Sequence, residues 1–218
     1  MATTARSIRF RALEEGIDVL RAHLLPKVLN DTGTYPIEVH VRAAGFRVLV
    51  HAEFESFFED RAWEVALASV QHLKKKSNAS RVVLALLAFS GQKMEIAPDR
   101  LIPPAGTSEE VWNEKLSLGS KVAAALNAFK GAININHGVR ERNILGLLLP
   151  VGIEPDAIDV AWLATVDSFG EARGTVAHRS FGAYRATQLP DPGTEIATVE
   201  NILKGSRAID DALNRLLP

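Results

Sequence analysis

Between Pro36 and Ser77 the chain offers no credible helix breaker, and that stretch constrains the fold more than any other. Proline is favoured in the first turn of a helix, where its missing N–H is not needed, so Pro36 opens a second helix that runs to the neighbourhood of Ser77. The centre of this helix, VLVHAEFESFFEDRAWEVAL, places Val50, Phe54, Phe57, Phe58 and Trp63 on a face that wants burial. Lys74-Lys75-Lys76 closes it against its negative carboxyl end. Arg47, His51, Glu55 and Glu59 follow one another at steps of four. They form either a solvated face of alternating ion pairs or a stripe in which Glu55 or Glu53 faces a neighbouring helix.

Helical periodicity continues on both sides. Phe10, Leu13, Ile17, Leu20, Leu24 and Val28 predict a first helix ended by Asn30-Asp31-Thr32-Gly33. Arg81–Phe89 is ambiguous between a buried strand and a short helix, and its helical neighbours favour the helix. Ser90 to Gly106, with Pro98, Pro103 and Pro104, reads as a loop. A capping box of Thr107 and Glu110 opens a helix through Trp112, Leu116, Val122, Leu126 and Phe129 that Gly131 stops. A turn at Asn134-Ile-Asn-His137-Gly138 leads to a short helix through Ile144, Leu147 and Leu148, ending near Pro150 and Gly152. Glu154-Pro155-Asp156 starts the next helix. A loop from Gln188 to Gly193 precedes a last helix capped by Thr194 and carrying Ile196, Val199, Leu203, Ile209, Leu213 and Leu216. No repeat, low-complexity tract or long linker divides the chain. The expectation is a single all-α domain over 1–218, with its core at about 36–187 and a C-terminal packing helix at 194–217.

The chain has no cysteine, which removes disulfide frameworks and thiolate metal sites and makes a reducing cytoplasm its natural compartment. The amino terminus MATTARSIRFRALEEG lacks an apolar signal core, and no run approaches the roughly 20 apolar residues of a membrane span. A formal charge of −1 argues against a broad nucleic-acid coat, since such binding rests on many phosphate contacts, but leaves room for a small site with a few arginines.

The segment AWLATVDSFGEARGTVAHRSFGAY carries the chemistry. Trp162, Val166, Phe169, Ala177 and Phe181 fall on or near one stripe, and Arg173 interrupts it. A guanidinium cannot shed its proton, so on a half-buried face it must find an anion of the fold or of a ligand. His178, five residues on, titrates near neutral pH. Glu-x-x-His pairs for a di-iron site, His-Glu-x-x-His, a phosphate-cradling Gly-rich loop and Gly-x-Ser-x-Gly are all missing from the sequence. No metal and no cofactor is therefore expected. An imidazole that moves a proton and an arginine that forks onto a phosphate suffice for metal-free RNA cleavage by the ribose 2′-hydroxyl. On the bare spacing, the plainer reading pairs Arg173 with Glu171, Asp167 or a carboxylate of the second helix and leaves His178 as a packing residue. Residues five apart diverge by roughly 140° on a helix, so a two-fold dimer that brings two Arg-His pairs together is one way to complete a site. Gly174 would allow a phosphate or partner backbone to approach closely.

Three segments together carry a family resemblance: VLVHAEFESFFEDRAWEVA, INHGVRERNILGLLLPVGIEP, and Phe169–Ser180 with its Arg-x4-His pattern. In order and spacing they resemble the HEPN superfamily of all-α RNA-cleaving and nucleotide-binding domains, most closely its RiboL-PSP-HEPN subfamily. The resemblance implies an up-and-down bundle that forms a homodimer with the motif near the two-fold axis. It also implies a metal-independent endoribonuclease of toxin or phage-defence type, with RNA as substrate and an antitoxin or defence protein as possible partner. It places catalytic roles on Arg173 and His178 only; from proximity in the pattern alone, Arg179 is a candidate for holding a neighbouring phosphate and Glu55 for orienting either Arg173 or His178. The residue after the arginine is usually polar in that superfamily and is Gly174 here. The alternative is therefore an inactive HEPN module that binds RNA, a nucleotide or a partner without cutting.

Overall fold

The computed structural model describes residues 5–30, 32–92, 99–178 and 189–218, with 175–178 in backbone alone. Among these residues the chain is helical throughout, with no strand, as the periodicity predicts. Helix α1 (Ile8–Leu24) starts where the Ser7 Oγ accepts from the Phe10 N–H at 3.0 Å. It stops sooner than the spacing predicts, because a residue before proline avoids helical backbone: Leu25, ahead of Pro26, is extended, and Val28 lies on the surface.

Helix α2 (Ile37–Lys76) is the long element foreseen. It buries Val50, Phe54, Phe57 and Phe58, while Trp63 is half-buried under the Lys130 ammonium, 5.5 Å from the ring centroid. Ser77 ends it in left-handed backbone, its N–H returning to the Leu73 carbonyl. The ambiguous apolar run is a helix, α3 (Arg81–Phe89), capped by Ser80.

The amphipathic stretch that follows is two helices, not one: α4 (Glu109–Leu116) and α5 (Leu118–Asn134). Ser108 rather than Thr107 caps the first, its Oγ accepting from the Val111 N–H at 3.3 Å. Ser117 breaks the pair by capping the second, accepting from the Ser120 N–H at 3.4 Å, since a serine side chain competes with the helix for nearby N–H groups. Gly131 does not stop α5, which continues to Asn134; an interior glycine costs about 1 kcal/mol but does not end a packed helix.

Helix α6 (Glu141–Leu148) runs into a 3-10 turn at Leu149–Val151 closed by Gly152 at φ +86°. Glu154-Pro155-Asp156 starts only another 3-10 turn, Pro155–Ala157, after which Ile158 is extended. Helix α7 (Val160–His178) begins at Asp159, whose Oδ1 accepts from the N–H groups of Ala161 and Trp162 at 2.8 and 3.1 Å. The last helix, α8 (Pro192–Leu216), is capped by Asp191 rather than Thr194, whose N–H it takes at 2.8 Å, so the helix starts at Pro192 rather than 194.

Helix α2 is the axle of the molecule: α1, α3, α5, α6, α7 and α8 all pack on it. One continuous core joins Phe10, Phe54, Leu86, Phe129, Leu147, Trp162 and Leu213. Two polar devices lock it. Arg61, fully buried on α2, donates from Nε to Asp210 Oδ1 at 2.8 Å and from Nη2 to Asn214 Oδ1 at 2.7 Å, both on α8. The other oxygen of Asp210 accepts from the Ser7 N–H at 3.0 Å. The Trp162 indole of α7 donates to the Ile202 carbonyl of α8 at 3.0 Å, against Gly205. Among the described residues no helix is long and apolar enough to cross a membrane.

Candidate functional site

The charged stripe of α2 does not face solvent. Arg47 forks onto Glu195 of α8, with Nε to Oε2 at 3.0 Å. His51, only 2% exposed, stacks on Phe169 of α7 with ring centroids 6.1 Å apart. Its Nδ1 lies 3.5 Å from Glu55 Oε2 and makes no hydrogen bond among the described residues. Glu59 accepts from Asn136 Nδ2 at 2.7 Å. Of the two glutamates that the spacing leaves open, Glu53 lies against Gly16 of α1, and Glu55 is the one within the field of Arg173.

The Asn-Ile-Asn-His-Gly turn between α5 and α6 is clamped onto this stripe. Asn136 Nδ2 also donates to the Gly138 carbonyl at 3.1 Å, and Asn143 Nδ2 donates to Asn136 Oδ1 at 2.9 Å. The Gly138 N–H is bonded to Glu55. Gly138 is buried at φ +145°, a conformation that side chains rarely adopt, and a Cβ there would stand 3.6 Å from the His51 ring. The turn is also pinned to α7: Arg140 donates from Nε and Nη2 to the two oxygens of Asp167, both at 3.0 Å, and the Glu141 N–H adds a third bond at 3.0 Å. These bonds hold the Asp167 carboxyl below the usual carboxylate range.

With Asp167 so engaged, one of the partners the spacing offers Arg173 is already taken. Arg173 is half-buried, and its Nε is enclosed without a hydrogen-bond partner among the described residues. The charge is felt nearby. Burial, reinforced by the Arg173 cation, lowers the His51 pKa to about 4, so this imidazole is neutral at neutral pH. Burial and then the Glu59 charge raise the Glu55 carboxyl, opposed by Arg173, by His137 and by the Gly138 N–H. Among the described residues, a Cβ on Gly174 would meet nothing within 4 Å. Along the preceding turns of α7 an open groove of about 410 Å³ is lined by Arg47, Thr165, Ser168, Phe169 and Ala172.

His178 is the last residue of α7, described in backbone only. Its side chain, that of Ala177, and all of Arg179 and Phe181 lie outside the described residues. Trp162, Val166 and Phe169 of the predicted stripe are buried. Sequence reasoning had assigned no role to Asn136, His137 or Asn143. The turn composition is visible in the sequence, but its partners are not: Asn136 is held by Glu59, 77 residues away, and Arg140 by Asp167, 27 residues away.

Comparison with protein-family models, curated proteins and solved structures finds no match for this chain. The arrangement brings together a half-buried cation whose inner nitrogen lacks a hydrogen-bond partner among the described residues and a carboxyl shifted towards its neutral form. Among the described residues no three of His, Asp or Glu converge as metal ligands would.

Proposed function

We propose that the chain is a metal-independent endoribonuclease of HEPN type, acting as a homodimer in toxin or phage defence. The observation that carries the reading is Arg173, whose half-buried guanidinium keeps Nε without a hydrogen-bond partner among the described residues while Asp167 is held by Arg140. A scissile phosphodiester would bond this nitrogen, beside the Glu55 carboxyl already in the field of Arg173. Arg173 forks onto the non-bridging oxygens and stabilises the charge that grows on them. A histidine takes the ribose 2′-hydroxyl proton, the O2′–P bond forms, the P–O5′ bond breaks, and the leaving oxygen takes a proton from a second acid. The products are a 2′,3′-cyclic phosphate and a 5′-hydroxyl, and DNA is spared for want of the nucleophile. His178, from its place in the motif, is one of the two proton carriers, and Arg179 a contact to an adjoining phosphate.

The purified protein incubated with total RNA in EDTA is expected to leave cyclic-phosphate ends. Arg173→Ala and His178→Ala should each lower the rate by about 100-fold or more. Cleavage that chelation abolishes, or that survives His178→Ala, refutes the mechanism. RNA retention without cyclic-phosphate ends identifies the non-cutting binding module instead.

A further inference from the structure

We propose that the outer face of α3, with the turn that follows α6, is a docking surface for a second copy of this chain, met through a two-fold axis.

The argument begins with the composition of α3, which is apolar at every position after Arg81. Val82, Val83 and Leu86 enter the core, as one face of a surface helix should. The opposite face carries Arg81, Leu84, Ala85, Ala88 and Phe89 at steps of three and four, and only the first of them has a polar side chain. Leu84 is 59% exposed and Phe89 58%. A helix that is apolar all round is ordinarily buried all round, so this face calls for a cover.

The neighbouring turn gives the face its shape. Gly152, at φ +86°, brings the backbone so close to α3 that a Cβ there would lie 3.3 Å from Arg81 Cγ and 3.6 Å from Ala85 Cβ. Between helix and turn runs an open groove of about 530 Å³, walled by Leu84, Phe89, Leu149, Ile153 and Pro155. The small residues Ala85, Ala88 and Gly152 leave its middle unfilled. Projecting apolar side chains and a groove that can receive them therefore share one patch. Arg81 and Glu154, both half-exposed, form an ion pair within it.

The charges choose the occupant. A cation beside an anion leaves the patch without net charge, so it draws neither an acidic nor a basic partner, but it is complementary to itself. Turned about a two-fold axis, Leu84 and Phe89 of one copy enter the groove of the other. Arg81 then meets Glu154 of the partner subunit, and the partner's Arg81 meets Glu154. An isologous interface requires a patch that carries both halves of its own complement. The inference is independent of the ribonuclease reading, since α3 packs on α2, α5 and the Leu149–Val151 turn whereas Arg173 belongs to α7.

The test uses the full chain and light scattering, which reads the mass of the assembly. Arg81→Glu brings only carboxylates to the charged part of the interface, and Glu154→Arg brings only guanidinium groups. Like charges face to face should raise the dissociation constant by about 100-fold or more. Each variant alone should show half the parent mass or less, whether or not copies also pair near Arg173. Mixed in equal amounts, the two variants complement each other, and the parent mass should return. An ion pair confined to one copy cannot produce that recovery. Phe89→Ser, at an exposed position, should likewise halve the mass while thermal unfolding stays close to that of the parent, and it decides the matter if a charge variant does not fold. A parent that scatters as a single chain, a folded variant that keeps the parent mass, or a mixture of folded charge variants that stays apart overturns the proposal.

Discussion

His51 couples the fold to acidity. Its imidazole titrates near 6.5 in an unfolded chain and at about 4 in the folded one. Between those values the unfolded chain holds a proton that the folded chain refuses. Its contribution is therefore complete above pH 6.5 and is lost as pH falls towards 4, with a slope of up to about 1.4 kcal/mol per pH unit. Glu55 acts in the opposite sense: its raised carboxyl keeps a proton that the unfolded chain has released, which weakens the fold as pH rises past the ordinary glutamate range. The two are separable in a Glu55→Gln chain, where urea midpoints should fall on acidification from pH 6.5 to 4.5 and where adding His51→Phe should flatten the trend. Equal slopes in both chains would refute the assignment. Gly174→Ala, whose Cβ would meet nothing within 4 Å among the described residues, should raise helix stability by about 0.5–1 kcal/mol. A rise in Tm with loss of cleavage would mark the space as substrate room. At this scale the sequence announced Arg173, because a cation interrupting an apolar stripe is visible in a string of letters. It did not announce that His51 is enclosed, since residues at steps of four read equally well as a wet face until α7 and α8 cover them.

Helices α7 and α8 approach through one small residue. A Cβ on Gly205 would lie 2.1 Å from Trp162 Cδ1, and the ring is buried and tethered to the Ile202 carbonyl, so it cannot swing aside freely. Gly205→Ala should therefore destabilise by roughly 1–3 kcal/mol, although alanine is the better helix former by about 1 kcal/mol. Urea unfolding checks the sign, and a stabilised variant would mean that α7 yields easily. Helices were legible from sequence where apolar spacing ran unbroken, as in α2. Their ends were misread where a short side chain bids for backbone N–H groups: Ser117 divides α4 from α5, and Asp191 displaces Thr194 as the cap of α8. The 3-10 turn at Pro155–Ala157 was misread for a related reason, because a proline after an acid signals a helical start without fixing its length.

For the molecule as a whole, the buried ionic cluster of Arg61, Asp210 and Asn214 is the decisive tie, and it joins residues 149 positions apart in the chain. Removing Asp210 leaves the buried Arg61 with only the half-exposed Glu64 as counter-charge, so Asp210→Ala should cost about 3–5 kcal/mol, whereas the paired change Arg61→Met with Asp210→Leu should recover most of that loss. Denaturant titration of the three chains tests this, and a single variant within 1 kcal/mol of the parent would show that water reaches the arginine. No periodicity could have revealed the tie, because Arg61 lies in an apolar-looking helix and its partners come from the far end of the sequence. There is a consequence for synthesis. A growing chain makes the axle helix early, yet the guanidinium inside it has only the half-exposed Glu64 of the same helix as counter-charge, at 2.6 Å, until Asp210 of α8 has left the ribosome. The nascent protein must stay loosely assembled until nearly its last residues, and any version cut short before residue 210 should be degraded rather than accumulate.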